Sequence, residues 1–560
     1  MSPARRPPRP RPAPAPDSDP AVSPILLEVF KNRFASIAEE MGVTLTHTAF
    51  SPNIKERRDL SCAVFDAQGE LIAQAAHIPV HLGSMPLSVR AAIAAHPFAP
   101  GDMVLLNDPF HGGTHLPDIT VVAPVFAPRS GPDGTDIPPA PATPATSAAP
   151  AFYVANRAHH ADVGGMSAGS MPLSTSLFQE GLILPPVKII RAGVLDEQLL
   201  GLILANVRTP AERRGDFAAQ FMANTTGVRR MTELLARHGP TQPARYAAAL
   251  MDYTETLMRA AIAAMPDGRY PFEDVLDSDG SGRTDIPIRL VLEIAGDTAR
   301  LDFTASADQV PGSVNAVRAI TCSCAFYVFR CLLGRETPAN AGCLRPIEVL
   351  TRPGSILDAR FPAAVAGGNV ETSQRIVDVI LGALAQALPD RIPAASQGTM
   401  NNLAMGNAGA GRNFAYYETL AGGMGGSPRG PGESAVHSHM TNTLNTPIEA
   451  LEYAYPLRVT RFGVARHTGG PGRHPGGDGL TREIQALAPC ELTLLSERRD
   501  HAPYGLAGGL PGAPGRNELL RADGQTETVP AKFHTLLAPG DRLRITTPGG
   551  GGWGRPREDE

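Results

Sequence analysis

Two short clusters in this chain concentrate imidazole and carboxylate side chains. The first is Asn107-Asp108-Pro109-Phe110-His111-Gly112-Gly113-Thr114-His115-Leu116-Pro117-Asp118, and the second is Asn156-Arg157-Ala158-His159-His160-Ala161-Asp162-Val163-Gly164-Gly165. Together they hold four of the 15 histidines and three aspartates. Imidazole nitrogen and carboxylate oxygen are the ligands a borderline-hard divalent cation prefers. A His–carboxylate–His set also leaves positions open for water or substrate, as a catalytic metal requires. His115 and Asp118 are three residues apart in a loop preceded by glycines. The second cluster offers His159, His160 and Asp162. Neighbours in a strand point to opposite faces, so one of His159 and His160 reaches the ion while the other helps to orient its shell.

The elements around the clusters have to bring them together. Met103 to Leu106 reads as a buried strand that delivers Asn107 and Asp108 at its end. Ile119–Phe126 and Phe152–Ala155 read as strands that pair into a hairpin, bringing Asp118 close to Asn156. Between them lies Ala127–Pro150, with seven prolines and six alanines in 24 residues. That composition cannot bury a core and predicts a mobile surface insertion. Upstream, apolar residues at three- and four-residue steps predict a helix from Ser23 to Val43, capped by Ser23, with Pro24 at its first position and Gly42 at its end. Leu60–Phe65 and Glu70–Ala75 form a second hairpin, and Met85–His96 a short helix.

Further on, Leu195–Met265 is mostly helical, with runs around Glu197–Val207, Pro210–His238 and Pro243–Ala264. Arg269–Thr304 is β-rich. Ser313–Leu333 and Glu371–Leu388 read as buried helices, the second entered through the glycine turn of Ala366–Arg375, and a helix N-terminus attracts anions. Short strands and Gly/Pro/Asn turns fill Gly398–Glu560. The expected fold class is therefore α+β (mixed α/β), multilayered and multidomain. A disordered Pro/Arg-rich tail occupies 1–22. The metal-site α/β region with a helical second half spans 23–265, including the 127–150 insertion. A mixed α/β region follows at 266–397, and a β-rich region at 398–560. At 560 residues, roughly two to four domains are expected.

Composition closes off several function classes. A net charge of −5 gives no basic footprint for nucleic acid. No apolar run is long enough for a membrane span. The six cysteines are too sparse for a disulfide framework and make no CxxC pair; Cys322, Cys324 and Cys331 fit a buried helix. The first 20 residues carry eight prolines and four arginines without an apolar segment, which does not read as a signal peptide and makes the cytoplasm the expected location. No G-x-x-x-x-G-K-[ST] occurs, so any ATP the reaction needs is bound elsewhere. Gly165-Met166-Ser167-Ala168-Gly169 matches G-x-S-x-G but follows no apolar strand. His437-Ser438-His439 reads as turn chemistry. The runs Glu56-Arg57-Arg58-Asp59 and Glu497-Arg498-Arg499-Asp500 read as solvated ion-pair faces, although a buried Arg57 or Arg58 would suit carboxylate or phosphate recognition.

Several motifs together resemble the hydantoinase B/oxoprolinase family. They are Ser51–Asp59, His77-Ile78-Pro79-Val80-His81-Leu82-Gly83-Ser84-Met85, the two His/Asp clusters, Pro338–Cys343, Gly367–Arg375, Ser396–Asn402 and Gly476–Gly479. The resemblance runs from about Ser23 to Gly554. It implies the B-type subunit of an ATP-dependent cyclic amide hydrolase, a 5-oxoprolinase or hydantoinase. An A-type partner would bind ATP and phosphorylate the substrate carbonyl oxygen, within a hetero-oligomer containing two copies of this chain. In the related carboxylases a His, an Asp three residues on and a later His hold a divalent metal. Those positions fall on His115, Asp118 and His159, for Mn, Zn or Fe. Asp162, Asp108 and His160 are then expected in catalytic support, and Arg57, Arg58 and His81 at the small-molecule substrate. Phosphorylation turns an inert lactam into an imidate-like electrophile that a metal-acidified water can attack. Two alternatives accompany this reading: a subunit of a ketone carboxylase of the acetone or acetophenone type, and a non-catalytic scaffold.

Overall fold

The computed structural model describes residues 22–75, 77–81, 83–130, 136–137, 149–407 and 413–556. The expected tail at 1–22 and insertion at 127–150 lie largely outside them. Within the insertion, Arg129–Ser130 and Asp136–Ile137 form a short antiparallel ladder. The architecture is mixed α/β, as its sequence patterning predicts.

Helix α1 (Pro24–Thr48) starts where expected, with the Ser23 hydroxyl accepting from the Leu26 amide. It buries Phe30, Phe34, Ile37, Met41 and Leu45 along one stripe. Gly42 does not end it. A side chain there would collide with the His77 imidazole, so the glycine makes room for a ring instead of stopping a helix.

The first sheet holds seven strands, β1 (Leu60–Asp66), β2 (Leu71–Gln74), β3 (Met103–Leu106), β4 (Asp118–Val125), β5 (Phe152–His159), β6 (Val187–Arg191) and β7 (Val194–Leu195). Their order is β2-β1-β5-β4-β3-β6-β7. Helix α2 (Met85–Ala95) packs on β3, β4 and β5, while α3 (Pro210–His238) packs on β4, β5 and α1. With helices on both faces, every residue of β4 and β5 is buried. That includes two consecutive polar residues that point to opposite faces of the sheet, each met by partners from the helix packed there. Arg157 donates to Thr120, Ser84 and Ser88. Asn156 donates to the Gln220 carbonyl and the Asn224 side chain on α3.

A second, four-stranded sheet (Gly268–Ser278, Thr284–Ala295, Thr298–Asp302 and Ile347–Leu350) carries α5 (Ser373–Ala387) across it, with α4 (Arg318–Cys331) packed on α5. Helix α4 starts five residues later than predicted. Ser313–Val317 is not helical, and the Asn315 amide bonds to the carbonyls of Val310, Gly312 and Ala364. One continuous apolar core takes in residues from Phe30 to Leu495, spanning the 23–265 and 266–397 stretches. A separate core fills the two C-terminal sheets.

The run Glu497–Asp500 is not a solvated face. Glu497 and Arg498 are buried in a network joining the C-terminal part to α5 and the second sheet. Arg498 bridges Asp274 and Asp378, each at 2.6 Å. Arg375 reaches Asp274 at 3.2 Å and Glu497 at 3.3 Å, and Lys532 pairs with Glu497. The buried Asp378 and the half-buried Asp274 need these cations, which is why the charges turn inward.

Candidate metal centre

Asp118 opens β4 and His159 closes β5, and the antiparallel register sets them directly opposite each other. The strand continues four residues past the predicted Ala155, so His159 faces Asp118, while Asn156 sits opposite Val121. His115 belongs to the tight turn before β4, in which the Asp118 amide donates to the His115 carbonyl at 3.2 Å. The turn folds His115 back over the strand end. His115 Nε2 lies 3.2 Å and His159 Nδ1 3.3 Å from Asp118 Oδ1. All three residues are buried, and each offers a ligand atom within 4.8 Å of the others'.

The surroundings hold this trio in place. The second Asp118 oxygen takes His81 Nε2 at 3.3 Å and the Thr114 hydroxyl at 3.0 Å. His115 Nδ1 faces the Ala366 carbonyl at 3.4 Å, leaving Nε2 toward Asp118. The His159 ring stacks on Tyr417 at 4.4 Å and 13°. Asn53 donates to the His159 carbonyl at 2.7 Å. Burial disfavours an ionised Asp118, yet His115 and His81 beside it hold the carboxyl well below the usual carboxylate range. Burial also lowers the His159 pKa, favouring the neutral imidazole that a metal needs. An ionised Asp118 carboxylate beside a His159 imidazole biased to its neutral form fits a divalent cation.

The other predicted residues stand elsewhere. His160 points to the opposite face, 2.9 Å from Gln220 Oε1 and against the Phe217 ring, as strand alternation dictates. Asp162 is bound to the Gly164 amide at 2.8 Å and to Arg208 at 3.1 Å. Asp108 accepts from the Phe110 amide and contacts His111 Nδ1 at 2.6 Å, capping a short turn. Arg57 is fully buried, and five protein acceptors match its five N–H groups: the carbonyls of Leu444 and Tyr417, and the side chains of Asn53, Thr419 and Thr443. Its guanidinium lies 5.2 Å over the Tyr417 ring, so it braces the ring that braces His159. Arg58 is exposed and lines a cavity of about 300 Å³ with Glu39 and His77. His81 uses one ring nitrogen on Asp118 and faces Ser61 with the other at 2.8 Å.

Two residues of the glycine turn before α5 join the site. Gly368–Thr372 forms a π-helical turn, an element often found at functional positions. It presents Asn369 Nδ2 3.1 Å from His115 Nε2. Glu371 accepts from Asn402 Nδ2 at 2.6 Å, and Asn402 Oδ1 takes the Tyr417 hydroxyl at 2.8 Å. Burial pushes Glu371 up to about 7. The double glycine signalled a turn but not this destination. Tyr417 carried no signal, because only the folded strand pairing places it over His159.

The chain belongs to the hydantoinase B/oxoprolinase family, whose description it matches over residues 23–556. It is 38% identical to 5-oxoprolinase 1 of Arabidopsis thaliana over 95% of its own length but 42% of that protein's. It thus spans about two-fifths of that curated relative. Its fold matches the ATP-dependent caprolactamase from Pseudomonas jessenii with a TM-score of 0.86 and 27% identity, covering 96% of this chain and 93% of that one. An acetone carboxylase structure shares the fold at a TM-score of 0.83 and 18% identity, covering 95% and 76%. Among the described residues, no helix is long and apolar enough to cross a membrane.

Proposed function

We propose that this chain is the B-type catalytic subunit of an ATP-dependent hydrolase of cyclic amides such as 5-oxoproline or a hydantoin. The carrying observation is the buried convergence of His115, Asp118 and His159. Those residues would hold a divalent cation, which would supply Lewis acidity to the reaction. His81 and Thr114 fix the free oxygen of Asp118. Tyr417, braced by Arg57, fixes the plane of His159. Enclosure of the trio keeps bulk water away from a reactive imidate phosphate. A separate A-type chain supplies ATP binding and carbonyl phosphorylation; the lack of any P-loop sequence here supports that division.

The test is the purified complex with its A-type partner, assayed for ATP turnover with 5-oxoproline, hydantoins and acetophenone. Turnover should follow a lactam or hydantoin. His115→Ala should lose bound metal and drop turnover on the order of 10³-fold. Full metal content with full activity in that variant would sink the reading, and turnover with the ketone alone would move the chain to carboxylation.

A further inference from the structure

Asn369 has an amide that the fold leaves half used. Its Nδ2 lies 3.1 Å from His115 Nε2, the same nitrogen that faces Asp118 Oδ1 at 3.2 Å. Its Oδ1 is buried and has no hydrogen-bond partner, in a residue only 3% exposed. An unpartnered buried carbonyl oxygen costs about 1–3 kcal/mol, and this one belongs to a side chain already in contact with His115. The backbone beneath it is fixed. The Gly368 amide donates to Ser313 at 3.0 Å, the Asn369 amide bonds to Val365 at 3.4 Å, and Gly368 lies too close to the Asn315 carbonyl for any side chain.

We infer that the Asn369 amide oxygen is a fourth protein contact to the cation held by His115, Asp118 and His159. This rests on the metal reading above. The present contact needs a lone pair on His115 Nε2 to accept from Nδ2. Once a cation takes that lone pair, the N–H has no acceptor there. A half-turn of the terminal amide, whose oxygen and nitrogen are nearly the same size, then presents Oδ1 to the ion and removes the orphaned oxygen. Two imidazole nitrogens and two oxygens, with no thiolate, form a donor set suited to six-coordinate Mn, with water or substrate in the remaining positions.

The test loads the chain, within its complex, with Mn²⁺ and measures stoichiometry, affinity and water-proton relaxation. Asn369→Ala should admit an additional exchangeable water, raise the relaxivity, and weaken Mn²⁺ binding about tenfold. Asn369→Asp keeps an oxygen at the position and should hold the relaxivity near that of the unmutated protein, with Mn²⁺ bound at least as tightly. Unchanged relaxivity and affinity in Asn369→Ala would overturn the inference. An unmutated chain that binds no stoichiometric metal would instead overturn the metal reading on which it stands.

Discussion

The candidate metal centre and the Arg498 network are both buried and both built from charged side chains, and burial works to raise the carboxyls of each, yet the outcomes differ. Around the centre, Glu371 and Glu180 each keep one oxygen without a hydrogen-bond partner, and burial pushes both carboxyls up to about 7. In the network, burial also works to raise Asp274, but Arg375 and Arg498 beside it win and bring it down to about 2. The distinction is the cation. A built-in guanidinium neutralises the network when the chain folds, whereas among the described residues no arginine or lysine forms an ion pair with Glu180, Glu371 or Asp118, the last being held down by the histidines beside it. Paired charge here is architecture, and unpaired charge marks the place where something else must arrive.

Removing a cation from the network should break the comparison most severely. Arg498→Ala leaves Asp274 and Asp378 without their shared partner and should cost about 3–5 kcal/mol, read as a lower urea midpoint with the metal trio intact. A loss under 1 kcal/mol would mean that the network is not holding the C-terminal part in place. Glu180→Gln tests the other side. Glu180 accepts from the Val365 and Ala366 amides and from Ser174, and glutamine can preserve those bonds. The folded carboxyl, at about 7 against an ordinary 4.5, binds its proton more tightly than the unfolded one. Its contribution is therefore fully present below pH 4.5 and lost as pH rises through 7. The stability gained by Glu180→Gln should grow across that window to about 3 kcal/mol; a gain that does not vary with pH would contradict it. The smallest effect belongs to Asp274, whose pKa moves from 3.8 to about 2. Its stabilisation of about 2 kcal/mol is present above pH 4 and lost as pH falls toward 2. The gap between Asp274→Asn and the unmutated protein, followed by unfolding from pH 5 to pH 3, should narrow.

What the sequence made legible was mainly periodicity and alternation. The long helix at Pro210–His238 has the expected bounds, and His159 and His160 part to opposite faces because strand geometry requires it. Misreadings arose where a residue answers to a distant neighbour. Gly42 looked like a helix stop but serves the His77 ring. Asn156 and Arg157 looked like the end of a strand, because their partners on α2 and α3 are far away in sequence. The Glu497 run looked solvated because its counter-charges lie far along the chain, Arg375 and Asp378 more than a hundred residues earlier and Lys532 further on. Asn369 and Tyr417 reach the site only through the packing of whole layers.

The β4–β5 hairpin also has a practical consequence. Its candidate ligand pair, Asp118 and His159, sits at one end, and the chain leaves and re-enters the hairpin at the other, after Val125 and before Phe152. Seven residue steps of antiparallel strand separate the ends, about 24 Å. Eight consecutive pairs, Asp118↔His159 through Val125↔Phe152, lock the register between them. The locked register thus insulates the candidate ligand geometry from changes made where the chain leaves the hairpin after Val125 and returns at Phe152.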